Sequence, residues 1–400
     1  MKGTAKKFKL SNGLTLLLES TSYNSVMLGI SIRIGSKNDP DSLHGMAHLC
    51  EHIIIRSCDK KISSTDRDNL KIHAFTEREE TFIFIRSLKD KFSSAIRWFE
   101  YFCSQHNITN EDLFIEKNIV SEEIHAYDNS EISKIESAFF RKAFVGKKMS
   151  HSISGNISGI KQIQLADVNN HLSLYSIPTN LVIAVSGDLD NDRILNTIES
   201  ITKHLKGSAI TNRIHSGHPK PFRVQVKSNL ELTYFIYGFE VPERSSEERL
   251  LIYALSNYLG EEDYSKLYQV IRKEKGLAYT IASEYQLFSD IGFLLIKGLT
   301  SQNNFSEVML NINNILEDCK NMNFDSVLLH NIAKHMKKNL LMNLDDINIR
   351  IIRLLKHELW FSEFYNIDDD LLFIDNLLSS NINIMAKRVF SGEGFLCHSI

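Results

Sequence analysis

The hydrophobic pattern of this chain changes period several times, and it does so twice in the same order. Near the N-terminus Phe8 and Leu10, then Leu14, Leu16 and Leu18, alternate around Asn12-Gly13. That dipeptide accepts the positive φ angles of a type I′ turn, so a β-hairpin is expected. The segment VMLGISIRIG (26 to 35) predicts a third strand, and Pro40 marks a loop before the helical LHGMAHLCEHIIIRSC. ETFIFIRSL (80 to 88) is strand-like, whereas FSSAIRWFEYFCSQ and DLFIEKNIVSEEIHAY carry apolar residues at helical spacing. Glycine and proline then cluster in SGHPKPF (216 to 222), after which the order recurs: strands, helical EERLLIYALSNYL, strands around 277 to 299, long helices. Element order alone therefore predicts an α+β fold of two related halves, residues 1–210 and 223–400, joined by a linker at 211–222.

The balance of 46 basic and 49 acidic residues, a formal net charge of −3, gives no field that would gather nucleic acid or an anionic membrane. No nucleic-acid partner is expected. No stretch nears the roughly 18 uninterrupted apolar residues of a membrane span, so no membrane insertion is expected either. The first lysines are followed at once by strand-like residues instead of the apolar core of a signal peptide. Five cysteines (50, 58, 103, 319 and 397) form neither an even set nor a C-x-x-C pair. That argues against a disulfide framework and a thiolate metal site, and for reduced thiols in the cytoplasm.

The chemistry is concentrated in HLCEH, residues 48 to 52. On a helix, positions i, i+3 and i+4 share a face, so His48, Glu51 and His52 point the same way while Cys50 points elsewhere. Two neutral imidazoles suit zinc, and a catalytic zinc site adds a third protein ligand while keeping one position open. Glu51, beside the metal without ligating it, is placed to take a proton from an attacking water and pass it to a leaving amine. A three-identity pattern also arises by chance, so a further acidic ligand on a later helix matters. FIEKNIVSEEIHAY supplies Glu116 and Glu123, two helical turns apart on one face, with Glu123 as the ligand and Glu116 as a supporting acid. Glu122 lies 100° around that helix and reads as a solvated residue, and His44 reads as a helix-entry residue.

With these residues in place, the chain resembles the pitrilysin and mitochondrial processing peptidase family, in its short bacterial form, over nearly its whole length. The family helix reads G-x-A-H-x-x-E-H, matched by Gly45, Ala47, His48, Glu51 and His52; its later E-x-x-x-x-x-E-E is matched by Glu116, Glu122 and Glu123. YSIPTNLVIAVSGDLD (175 to 190) is similar to the segment that closes the family's first domain. IRKEKGLAYTIASEY (271 to 285) resembles the family's L-R-x-x-x-G-L-A-Y element and places Arg272 and Tyr279 on its substrate-binding arginine and tyrosine. Outside that resemblance the two read as a surface arginine and a packed tyrosine.

The resemblance implies two homologous α+β domains, each an antiparallel-rich sheet covered by helices, in a half clamshell. It implies a zinc metalloendopeptidase with one Zn2+ per chain, ligands His48, His52 and Glu123, and a peptide substrate gripped by Arg272 and Tyr279. Arg272 and Tyr279 would act in the site of a partner subunit, so a homodimer is expected, or a heterodimer with a related subunit. The alternative is a catalytically silent peptide-binding or scaffolding subunit of a heterodimeric peptidase. The sequence departs from the family at the substrate-side strand, where His73 precedes Ala74 in place of asparagine. His73 could hydrogen-bond the substrate, stand as a third imidazole near the metal, or have lost the contact.

Overall fold

The computed structural model of the chain describes residues 4–208, 216–244, 248–261, 263–322, 324–361, 367–377 and 379–400. Eleven strands occur among them: β1 (Thr4–Lys9), β2 (Thr15–Ser20), β3 (Ser25–Ile32), β4 (Lys71–Thr76), β5 (Thr81–Leu88), β6 (Leu181–Gly187), β7 (Arg223–Val226), β8 (Thr233–Val241), β9 (Ala278–Leu287), β10 (Gly292–Thr300) and β11 (Phe395–Ser399). They form a six-stranded sheet in the order β1-β2-β6-β3-β5-β4 and a five-stranded sheet in the order β7-β11-β8-β10-β9.

Leaving out β1, the two sheets are one pattern written twice. β2 runs parallel to β6 and β7 parallel to β11, and the other neighbouring strands in each sheet are antiparallel. The duplication expected from element order is thus present in strand order and sense. The hairpin at Asn12-Gly13 is also present, with β1 and β2 antiparallel. Its turn differs from the type I′ expectation: Gly13 has φ +90° and Asn12 does not have a positive φ. Asn12 instead accepts a hydrogen bond from Leu14 N–H through its side chain, at 3.1 Å.

The linear division into residues 1–210 and 223–400 does not describe the packing. One compact unit draws on Met1–His125, His151–Ile214 and Met342–Tyr365 over their described residues, the other on Ala126–Ser150, His215–Leu341 and Asn366–Ile400. Of the expected linker 211–222, residues 211–215 lie outside the described residues, and 216–222 form no regular element.

In the first unit the sheet is buried on both faces, which is why β2 reads as the unbroken run Leu16-Leu17-Leu18 instead of alternating. Leu16, Leu18, Ile83 and Ile85 face helices Met46–Lys61 and Phe92–Cys103. Leu17, Phe82 and Phe84 face helix Ile347–Phe361, which comes from the far end of the sequence. A fully buried ion pair pins that helix: Arg350 Nε and Nη2 donate to Glu19 Oε2 and Oε1 at 2.9 and 2.8 Å, and Ser186 Oγ donates to Glu19 Oε2 at 2.8 Å.

The second unit is built alike. Phe235, Phe239, Leu294 and Ile296 face its own helices, including Phe305–Asn321, while Tyr234, Ile236, Phe293 and Leu295 face Ile135, Ala138 and Phe139 of helix Glu131–Ala143. Each sheet therefore takes the helix on one face from the other half of the sequence. Among the described residues no helix is long and apolar enough to cross a membrane.

Candidate metal centre

Helix Met46–Lys61 begins at Gly45, whose φ of +98° suits glycine and which approaches Gly155 and Ser154 so closely that a Cβ would collide. Asp39 fixes this start, its Oδ2 accepting from Gly45 N–H at 2.6 Å and its Oδ1 from Ala47 N–H at 2.9 Å. A buried carboxylate thus satisfies two main-chain donors at the entry to the helix and complements its dipole. One turn on, His48, Glu51 and His52 share a face, as their spacing requires.

Helix Asn110–Asn129 supplies the acidic side. Glu123 Oε2 lies 3.5 Å from His48 Nε2 and 3.5 Å from His52 Nε2. The two rings are edge-on at 86°, and the three donor atoms all fall within 4.8 Å of one another. Ligand atoms about 2.1 Å from a tetrahedral zinc sit roughly 3.4 Å apart, so the two Glu123 contacts at 3.5 Å match the spacing that two imidazoles and a carboxylate need around that ion. His52 Nδ1 meets Glu116 Oε2 at 3.2 Å, which turns Nε2 toward Glu123. His48 Nδ1 is buried with no hydrogen-bond partner among the described residues.

The electrostatics suit a dication. Burial and the neighbouring His52 push the His48 pKa down to about 4, leaving it neutral at pH 7, the form that ligates. At His52 burial alone would lower the pKa, but the hydrogen bond to Glu116 and the charges of Glu123, Glu51 and Glu116 outweigh it and raise the value. Glu51 is 5% exposed, and burial raises its pKa above the usual carboxylate range although the Thr76 hydroxyl opposes the shift. Burial also pushes the Cys50 and Cys58 thiols up, so neither is a thiolate at neutral pH.

Beside these residues an open cleft of about 610 Å³ runs along the helix, bounded by Glu51, His52, Ile55 and Arg56 on one side and by Ile72, His73 and Ala74 of β4 on the other. β4 is the outer strand of its sheet. Glu77 N–H donates to Glu80 O at 2.7 Å, and the ladder alternates from there. His73 and Phe75 therefore direct their main-chain groups to β5, while Ile72, Ala74 and Thr76 direct theirs to the open edge.

Side chains alternate in the same way. Thr76, Ile72 and Ala74 face the helix; His73 shares the opposite face with Phe75, ring centroids 6.1 Å apart, and Phe75 packs on Phe82 and Phe84. His73 thus borders the cleft along its strand but is not among the grouped donors His48, His52 and Glu123. Arg272 and Tyr279 belong to the second unit: Arg272 lies in the helical turn Tyr268–Glu274 with its guanidinium 5.1 Å over the Tyr268 ring, and Tyr279, on β9, is 67% exposed.

Four residues at the centre escaped the sequence reading. Asp39 and Thr76 carry no local signal, since the groups they hold at this site, the N–H of Gly45 and Ala47 and the carboxylate of Glu51, are not set by helical or strand spacing from them. Arg56 and Asp112 could have been found by helical spacing, one turn after His52 and one turn before Glu116.

A family model described as insulinase (peptidase family M16) matches residues 15–155, and one described as the peptidase M16 inactive domain matches residues 162–335. Relatives along the full chain carry the name uncharacterized zinc protease. YmxG of Bacillus subtilis is 24% identical over 97% of this chain and 96% of its own length. A Rickettsia felis relative is 24% identical over 96% and 94%. The fold is shared with a protease from Helicobacter pylori, at TM-score 0.90 and 21% identity over 100% of both chains. It is also shared with a chain of Complex III2 from Candida albicans, at TM-score 0.82 and 16% identity over 98% and 95%. The paired histidines fall in the part matched by the first model, and the two models together span most of the sequence: the chain belongs to peptidase family M16.

Proposed function

We propose that the chain is a zinc metalloendopeptidase that hydrolyses unstructured peptides, with His48, His52 and Glu123 as ligands of one zinc and Glu51 as general base. The observation that carries this reading is the placement of Glu123 Oε2 3.5 Å from both His48 Nε2 and His52 Nε2, with Glu51 on the same helical face. When bound, zinc supplies Lewis acidity, polarising a scissile carbonyl and making an attacking water acidic near neutral pH.

The rest falls to the chain's own residues. Thr76 holds Oε2 of Glu51 at 2.5 Å, so the other carboxylate oxygen is the one that takes the proton and returns it to the leaving amine. An extended peptide adds to the open edge of β4, pairing with main-chain groups of Ala74 and its neighbours two residues either side. On this reading Ala74 serves substrate binding through its backbone, and His73 serves at most through its place on the strand. Arg272 and Tyr279 grip the peptide and favour the developing oxyanion in the site of a second subunit, which makes a homodimer the working assembly. The five buried free cysteines fit a reducing compartment, the cytoplasm.

The test is cleavage of a mixture of unstructured peptides by zinc-loaded wild type beside Glu51→Gln, read by mass spectrometry together with zinc content. Loss of cleavage by about 10²- to 10⁴-fold with zinc retained is the expected result. Equal cleavage by both proteins would refute the role of Glu51, and no cleavage by either would favour the silent scaffolding subunit.

A further inference from the structure

Behind His52 stands a group of side chains that the proposed reaction does not consume. His52, Arg56 and Lys60 follow one another at single-turn intervals on helix Met46–Lys61, and Asp112 and Glu116 do so on helix Asn110–Asn129. The two rows interlock. Arg56 Nη1 donates to Glu116 Oε1 at 3.3 Å and Arg56 Nε donates to Asp112 Oδ1 at 2.9 Å. Lys60 Nζ also donates to Asp112 Oδ1. Asp112 in turn accepts from Thr109 N–H and Thr109 Oγ1, at 3.2 and 2.8 Å, so its position is set by the start of its own helix.

We propose that Arg56, braced by Asp112, is a positioning residue for the metal centre. It fixes the carboxylate plane of Glu116, through it the ring of His52, and thereby sets the affinity for zinc. This rests on the reading of His48, His52 and Glu123 as the zinc ligands. The last torsion of a glutamate is broad and nearly free, so a single contact at Oε2 would leave Glu116 able to swing away from the imidazole. Anchoring Oε1 on the guanidinium removes that freedom and keeps Oε2 on His52 Nδ1. A planar fork holds the two carboxylates at fixed angles, whereas a lysine ammonium would supply the charge without the angle. Glu116 and Asp112 are both 5% exposed, so their carboxylates are largely withdrawn from water while Arg56 reaches them from the cleft. His52 is the ring under this control, because its Nδ1 meets Glu116 Oε2 at 3.2 Å, whereas His48 Nδ1 has no hydrogen-bond partner among the described residues.

The sign of the effect separates this proposal from plain electrostatics. Removing a cation near a dication site raises the affinity for the dication by Coulomb's law alone, whereas removing a positioning group lowers it. Zinc affinity, measured by chelator competition on folded protein, would be compared among wild type, Arg56→Ala, Arg56→Lys, Glu116→Gln and the Arg56→Ala/Glu116→Gln double variant. The expected results are a loss of roughly tenfold for Arg56→Ala, a smaller loss for Arg56→Lys, and a double variant no weaker than Glu116→Gln alone.

Unchanged or tighter binding by Arg56→Ala would overturn the proposal. So would additive losses in the double variant, which would mark a packing effect independent of Glu116. His48→Ala serves as the control for the ligand set. If it binds zinc as tightly as wild type, the ligand assignment fails, and that failure is distinct from a null result at Arg56 in a protein whose His48 does bind the metal.

Discussion

The Thr76 hydroxyl donates to Glu51 Oε2 at 2.5 Å and so ties the open-edge strand β4 to the helix that carries both histidines. The residue proposed to move the proton and the strand proposed to hold the peptide are one hydrogen bond apart. Thr76→Val keeps the shape and deletes the donor. It is expected to lower kcat by on the order of 10- to 100-fold and stability by about 1–3 kcal/mol. Steady-state cleavage of a fluorogenic peptide beside thermal unfolding checks both, and an unaltered kcat would remove Thr76 from the account.

The metal set and the Arg272–Tyr279 pair lie on different units of one chain, and the proposed assembly joins them across subunits. His48→Ala and Arg272→Ala proteins, each inactive alone, should regain activity on mixing, because some mixed dimers carry one intact site. Size-exclusion analysis with subunit exchange demonstrated is the needed control. With exchange proven and no activity regained, the shared-site assembly is wrong.

His171, on helix Leu165–Ser173, is buried, and burial lowers its pKa from 6.5 to about 4. The unfolded chain therefore takes up a proton at higher pH than the folded one. Stability contributed by neutral His171 is complete above pH 6.5 and is lost as the pH falls from about 6.5 to about 4, by roughly 3 kcal/mol in all. His171→Leu should flatten the pH dependence of the unfolding free energy across that window relative to wild type. Parallel curves for the two proteins would contradict the burial argument.

Glu19 and Arg350 form a two-point ion pair, each side chain 3% exposed or less. Glu19→Ala strands a buried guanidinium and should cost about 3–5 kcal/mol in denaturant unfolding, whereas replacing both partners with leucine and methionine should recover most of the loss. A Glu19→Ala protein as stable as wild type would show that water reaches Arg350.

Local pattern was legible for the helices and strands, though not for the turn type at Asn12-Gly13. The helix holding His48, Glu51 and His52, the two-turn spacing of Glu116 and Glu123, and the duplicated element order all follow from periods of 3.6 and 2 that neighbouring residues impose on one another. What was not legible depends on residues distant in sequence. Nothing near Asp39 announces that it caps a helix, and nothing near Ile347–Phe361 says that its apolar face covers Leu17, Phe82 and Phe84. The His73 side chain faces away from the centre because Thr76 fixes which face of β4 meets the helix, and that contact lies in the tertiary structure.

The exchange of helices between the two sheets has a consequence for any attempt to divide the chain. A fragment ending near residue 208 would carry helix Glu131–Ala143 without the sheet it covers, and a sheet whose Leu17, Phe82 and Phe84 face water. A fragment beginning near residue 216 would have the mirror defect. Neither piece is a domain in the sense of folding alone, yet each holds what the other lacks. Two co-expressed fragments should therefore find each other and fold only as a pair, and the molecule behaves as an internally swapped duplex whose halves happen to share one backbone.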